Sequence, residues 1–425
     1  MKTYCIVLKS IAHFLYIDTM DTRDAFNEFY DAVIGLINYY YRERTITVTS
    51  WDPYYITPAI KAKLRLKNRL RQAGRIEEAD VLAAQIGRDI ANRNKTRLSK
   101  IHRKTSSKDL WAAVRQLTGG RQTTDNVDGI TAESLNKHYT HISTDTDFQI
   151  PQCKHTAACR RLDVVSEWQV FRMLDTLRNT STGLDNVPAW FLRLGAPVFC
   201  KPVALLYNKS ISTSVVPRQW KSASIRPVPK NSAPVQHSDF RPISITPVLC
   251  RTLERVVVRT FLYPAILMPP AALHFSDQFA FCPTGSTTAA LITLLQTISD
   301  MLATNPYVVV IALDFSKAFD TVRQANLLRK IALLNIPDPV YNWLVDFFSD
   351  HTHCTRFSGL VSGFQRITAS IIQGSAVGPV SFVINASDLS TVTPGNRMIK
   401  FNTPMIHILW YRPATCWAEQ LSLNM

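Results

Sequence analysis

The stretch "YVVVIALDFSKAFDTV", Tyr307 to Val322, constrains this chain more than any other. Val308, Val309, Val310 and Ile311 make an unbroken apolar run of β-branched residues, which predicts a buried strand. Asp314 falls where that strand ends, and Asp320 follows six residues later in the turn or helix. A carboxylate there is costly unless something cationic or a backbone donor meets it. Two readings fit. One is a helix-capping aspartate. The other is a metal ligand, because nucleotidyl transfer needs carboxylates that hold two divalent ions on the attacking and leaving oxygens.

Other blocks surround this one. "WKSASIRPVPK" (Trp220 to Lys230) leads to "FRPISITPVLCRTLERVVVRTF" (Phe240 to Phe261), and "DQFAFCPTGSTTAAL" follows at Asp277 to Leu291. Lys230 and Arg241 are candidate phosphate ligands, arginine being suited to bidentate contact. "SIIQGSAVGPVSFVINASDL" (Ser370 to Leu389) predicts a strand end, the pair Gln373-Gly374 and then a helix. A glycine at 374 would let backbone approach a ligand closely.

Charge points the same way. The 425 residues carry 48 Lys and Arg against 32 Asp and Glu, a net +16, the footprint of a polyanionic partner. The eight cysteines include no CxxC pair, so neither a zinc ribbon nor a disulfide framework is indicated, which fits a reducing intracellular compartment. No run reaches the roughly 18 apolar residues of a membrane span.

Along the chain, Phe26, Phe29, Val33 and Leu36 lie at helical spacing within Thr22 to Tyr41, in an N-terminal helical remnant expected at residues 1–50. "TITVTSW" alternates like a short strand. Residues 51–117 form a basic helical region that begins with Thr57 as N-cap and Pro58 in the first turn. Its first half carries Lys61, Lys63, Arg65, Lys67, Arg69 and Arg71 without local acids, and Gly74 divides it into two helices. A solvated helix face and a phosphate-contacting surface both fit; the lack of balancing acids favours phosphate. Residues 118–164 are expected to be a flexible linker, and a second folded unit to begin near Val165.

Taken in series, "FRPIS", "ALDFSKAFD" and "IIQGSAVGP" resemble the reverse transcriptases of non-LTR retrotransposons, the jockey-like and LINE-like elements, over about Asp52 to Lys400. The resemblance implies an α+β fingers-and-palm fold over residues 165–400. It implies RNA-templated DNA synthesis with two Mg²⁺ ions, an RNA template, a DNA primer and deoxynucleotides, and no membrane. Asp314 matches the metal-binding aspartate of the first palm motif. Phe319 matches the bulky residue that screens the sugar 2′ position. Gln373 and Gly374 match the motif lining the nucleotide pocket, and Arg241 and Lys230 match finger residues that hold the triphosphate. Asp320 belongs to the pattern, with a structural role at least as well supported as a chemical one.

The pattern breaks after "NRMIK". The family continues with an aromatic residue and a pair of aspartates at a hairpin turn. Here the chain reads "FNTPMIHILWYRPATCW", and no acidic residue occurs between Asp388 and Glu419. Codon structure supplies a cause. Met405 is ATG and Ile406 begins AT, so the neighbouring frame reads GAT, aspartate. In that frame Trp410-Tyr411 forces GTA, valine, and suitable third bases complete "YADDTYLVV". Residues 401–425 are therefore expected to be an out-of-frame tail without evolved structure, with the family's thumb and a full endonuclease domain missing. The expectation is a catalytically defective reverse transcriptase. The alternatives are a non-catalytic nucleic-acid-binding module and a remnant without function.

Overall fold

The computed structural model describes residues 19–41, 56–98, 129–154, 162, 164–231, 233–282, 285–313, 317–389, 398–400 and 407–411. The chain divides into two compact units, Tyr40–Asp125 on one hand and Met1–Tyr39 with Asn126–Met425 on the other.

Helix α1 (Thr22–Tyr40) buries Ala25, Phe26, Phe29, Tyr30 and Val33 along one stripe. That stripe enters the larger unit's core. Phe26 meets the Trp220 ring edge-on at 5.0 Å, and Trp220 Nε1 donates to Tyr30 Oη at 2.8 Å. The helix expected to be a separate remnant is thus part of the main core, because two aromatics and a tyrosine cannot be buried by one helix alone. The predicted strand "TITVTSW" lies outside the described residues.

The smaller unit is a helical hairpin. Helix α2 (Pro58–Gln72) starts as expected, with the Thr57 side chain accepting from Ile60 N at 3.2 Å and proline at the first position. Gly74, at φ +74°, turns the chain into α3 (Ile76–Leu98). The hairpin buries Ile60, Ala79 and Ile86.

In the larger unit, helix α4 (Ala132–Ile142) opens with a capping box in which Thr131 and Ser134 satisfy each other's backbone donors. It buries Leu135 and Tyr139 against Ile225, Phe240 and Phe357. Residues 129–154 are therefore not the flexible linker expected there. Short helices α5 (Glu167–Asp175) and α6 (Ala189–Leu194) lead to the long core helix α7 (Ala196–Thr213). Strands β1 (Ser222–Pro229) and β2 (Phe240–Ile245) come next, followed by α8 (Val248–Val257), a π-turn at Val258–Leu262 and α9 (Tyr263–Leu267). Helix α10 (Thr287–Leu302) precedes β3 (Val309–Leu313), and α11 (Gln324–Leu333) and α12 (Asp338–Phe348) follow it. The remaining elements are β4 (Thr352–Phe357), β5 (Leu360–Val361), β6 (Gln365–Arg366), α13 (Gly378–Asn385), β7 (Met398–Lys400) and β8 (His407–Tyr411).

One mixed sheet has the order β2-β1-β4-β5, with β6 also on β4; β1 runs antiparallel to β2 and parallel to β4. A second, antiparallel sheet has the order β3-β8-β7. Two sequence expectations change here. Val310 is 43% exposed, so β3 is not a fully buried strand, since a three-stranded sheet leaves flanks open. Part of the tail expected to lack structure, His407–Tyr411, is the central strand of that sheet, pairing Val309 with Tyr411 and Leu313 with His407. "HILWY" is apolar and aromatic enough to pair whatever its origin.

Candidate nucleotide-handling site

Lys230, the turn at Lys317–Asp320 and the loop at Ser370–Gln373 line one cleft, together with Ser244 of β2 and His138 and Tyr139 of α4. Backbone pairing fixes the loop. Ile371 N donates to Phe319 O at 2.9 Å and Ser370 N to Val322 O at 2.8 Å, so the segment runs beside the turn rather than forming the predicted strand. Glu254 of α8, fully buried, holds its far end by accepting from Ala376 N at 2.5 Å and Val377 N at 3.2 Å.

At the centre, Gln373 Nε2 donates to Asp320 Oδ1 at 2.6 Å. Burial raises the Asp320 carboxyl above its ordinary range; the Gln373 bond and the Lys230 and Lys317 charges oppose that shift. Lys230 is pinned in place, with Nζ on Ser238 O and the backbone amide on Asp239 O, each at 2.7 Å. The cleft thus sets two ammonium groups about a carboxylate whose other neighbour is an amide. The histidines beside it add little positive charge at neutral pH. Burial, then Lys317 and His237, lower His138, whose ring stacks on His237 at 5.5 Å. Burial brings His351 and His353 down to about 4. The cleft encloses about 40 Å³, room for a few waters, whereas a small-molecule site needs on the order of 300 Å³.

The other candidates fall into place unevenly. Phe319 is half-buried, its ring 4.9 Å from Phe382 and 6.1 Å from Phe281. Gly374 has φ +115°, and a Cβ there would sit 2.4 Å from Ser244 O, so the close approach is to strand β2 and not to a ligand. Ser244 N donates to Gln373 O at 2.7 Å across the same contact. Arg241 is not brought in. Phe240, Pro242 and Ser244 face the cleft, and strand alternation turns Arg241 to the opposite face. Asp314, the expected metal ligand, lies outside the described residues.

Sequence reasoning gave no role to Lys317, which adopts φ +55°, or to Glu254. Lys317 stands inside "ALDFSKAFD", where its position between two aspartates was the available signal. Glu254 sits amid the apolar residues of α8, and an acid at a core position is itself a signal of buried donors.

In the smaller unit, Lys63 and Arg71, two of the six basic residues proposed to meet phosphate, are held in ion pairs. Lys63 pairs with Asp89 at 2.6 Å and Arg71 with Asp80 at 3.1 Å. The acids missing from the first helix are supplied by its antiparallel partner. Arg65, Lys67 and Arg69 make no ion pair among the described residues.

Residues 228–402 match the family described as "Reverse transcriptase (RNA-dependent DNA polymerase)". The chain is 30% identical over 193 residues to the "RNA-directed DNA polymerase from mobile element jockey" of Drosophila melanogaster, which covers 45% of this chain and 21% of that protein. It is 27% identical over 210 residues to the "Probable RNA-directed DNA polymerase from transposon BS" of the same organism, 49% of this chain and 23% of that one. It is 28% identical over 172 residues to the "Retrovirus-related Pol polyprotein from type-1 retrotransposable element R2" of Popillia japonica, 40% and 23% respectively. The chain thus spans less than a quarter of the length of these relatives.

Proposed function

We propose, from the premise that residues 228–402 form a reverse-transcriptase domain of the non-LTR, jockey-like kind, that this chain is an RNA-directed DNA polymerase of such an element in a catalytically defective copy. In this reading the larger unit is the fingers and palm. An RNA template, a DNA primer and a deoxynucleotide meet over the cleft, inside the cell. Lys230 and Lys317 face the triphosphate, Gln373 braced by Asp320 meets the base or sugar, and Phe319 crowds the 2′ position.

One observation supports the defect. Strands β7 and β8, which complete the sheet with β3, carry no carboxylate in their described residues, and β8 follows directly on the position where the family has its aspartate pair. The family match also stops at residue 402. Two Mg²⁺ ions about 4 Å apart repel by about 4 kcal/mol at the dielectric of water, and by about 16 kcal/mol at an effective value of 20. Asp314 alone does not offset that, so the donor set of this chain does not fit the two-metal site of the family. Among the described residues no group of three or more His, Cys, Asp or Glu could hold a metal ion.

The test is primer extension on a primed RNA template with Mg²⁺ or Mn²⁺. No extension is expected. Incorporation that Asp314→Ala abolishes would overturn the proposal.

A second reading, a nucleic-acid-binding protein without chemistry, has its own support in Arg65, Lys67 and Arg69, which pair with no carboxylate among the described residues. It predicts salt-dependent RNA binding with or without polymerisation.

A further inference from the structure

A second basic surface lies in the larger unit, away from the cleft. Helix α5, the loop that follows it, and helix α8 with its π-turn enclose a groove of about 730 Å³. Five arginines line it: Arg172, Arg178, Arg251, Arg255 and Arg259. Among the described residues no Asp or Glu lines it, and the buried Glu254 and Asp185 carboxylates act on Arg251. The exposed guanidinium groups repel one another, and that repulsion is relieved when an anion enters.

The arrangement is linear. Arg251, Arg255 and Arg259 recur every fourth residue, a rise of about 6 Å per step. In a plain α-helix each such step drifts by about 40° around the axis. The π-turn that begins at Val258 turns less per residue and reduces the drift of the second step, and all three arginines line the groove. Arg172 and Arg178 form the opposite bank. Arg172, Arg178, Arg255 and Arg259 are exposed and make no ion pair among the described residues. Arg251 is partly buried. Its Nη2 donates to Ser181 O at 3.1 Å, and its Nε is buried with no partner. Burial and the neighbouring Arg255 charge both press on that guanidinium.

We propose that this groove binds the sugar–phosphate backbone of a single-stranded nucleic acid, with Arg255 and Arg259 on successive phosphates. The row of forked donors suits a repeating anion better than a single small one. The lining holds no exposed aromatic anchor of the kind that dominates protein partners. The inference rests on the reading that the chain handles nucleic acid. It does not need the chain to polymerise.

The experiment measures binding of a fluorescent single-stranded RNA oligonucleotide to the full chain by anisotropy across a salt series. Three proteins are compared: the parent, Arg255→Gln/Arg259→Gln, and Arg65→Gln/Lys67→Gln/Arg69→Gln. Each lost phosphate contact flattens the log–log salt slope by about 0.7 for a single strand, so the groove variant should lose about 1.4. That amounts to about 25-fold weaker binding at 0.1 M salt than the parent. Far-UV circular dichroism should match the parent, since both side chains are exposed. A slope and affinity equal to the parent's would overturn the groove while leaving nucleic-acid binding intact. Loss in the hairpin variant alone would assign binding to the smaller unit and also overturn it. If polyglutamate displaces the RNA at equal charge concentration and binds with the same dependence on Arg255 and Arg259, the groove takes an acidic protein segment and the proposal fails. A parent that binds no RNA at all would remove the nucleic-acid reading itself, and the groove with it.

Discussion

Replacing Gly374 with alanine should unseat the loop that carries Gln373. The new Cβ would lie 2.4 Å from Ser244 O, a backbone atom that cannot swing aside, and the position has φ +115°. Holding an alanine in that region costs about 1–3 kcal/mol. Relieving the clash moves the loop off β2, which sacrifices the Ser244 N to Gln373 O bond of 2.7 Å, worth about 0.5–1.5 kcal/mol. The sum is about 2–4 kcal/mol, equivalent to a fall of about 3–6 °C in the midpoint for a unit as large as the one that carries Gly374. Thermal unfolding of parent and variant, followed by circular dichroism, reads it directly. Gly363→Ala is the control: nothing lies within 4 Å of its would-be Cβ, so its midpoint should match the parent's. Should Gly374→Ala also melt within about 1 °C of the parent, Gly374 is not wedged against β2 and the described cleft is wrong.

Asp185 should make stability fall as pH rises. Its carboxyl is buried, and burial raises it from 3.8 to about 6. Neither oxygen closes a hydrogen bond, although the Tyr30 hydroxyl and Val187 amide lie near enough to relieve part of the cost. A raised folded-state value means that the stability is fully present below 3.8 and is lost as pH climbs through 6, a loss of about 3 kcal/mol at 1.36 kcal/mol per unit. Asp185→Asn should remove that slope and exceed the parent above pH 6; equal pH profiles by urea denaturation would count against it. In the smaller unit, Lys63→Gln should change the RNA salt slope less than Arg65→Gln, because Asp89 already neutralises Lys63. Equal effects in the anisotropy titration would contradict that assignment.

Much of the site was legible because its motifs are contiguous. Gln373, the turn ending at Asp320 and Lys230 each stood out by residue type, and the fold brings these three to one cleft, whereas Gly374 packs against β2. What escaped depends on register or on distance along the chain. Arg241 looks like a phosphate ligand in "FRPIS", but which face it takes is set by the pairing of Val228 with Arg241 across β1 and β2. The role of Lys63 required knowing that Asp89, twenty-six residues on, returns beside it. Helix α1 reads as a stray amphipathic helix until Trp220 is seen to receive it. Helix α4 was readable: Thr131 and Ser134 cap it and Leu135 and Tyr139 repeat at four, yet the Gly- and Thr-rich segment before it masked the start.

The central claim is that the frame changes near Phe401, and the nucleotide sequence of the gene tests it most directly. Translation of the neighbouring frame from that codon should give an aspartate across Met405 and Ile406, a second acid immediately before it, and an open stretch resembling the rest of the palm. A stop codon or the absence of an aspartate pair within the first few codons would contradict the account.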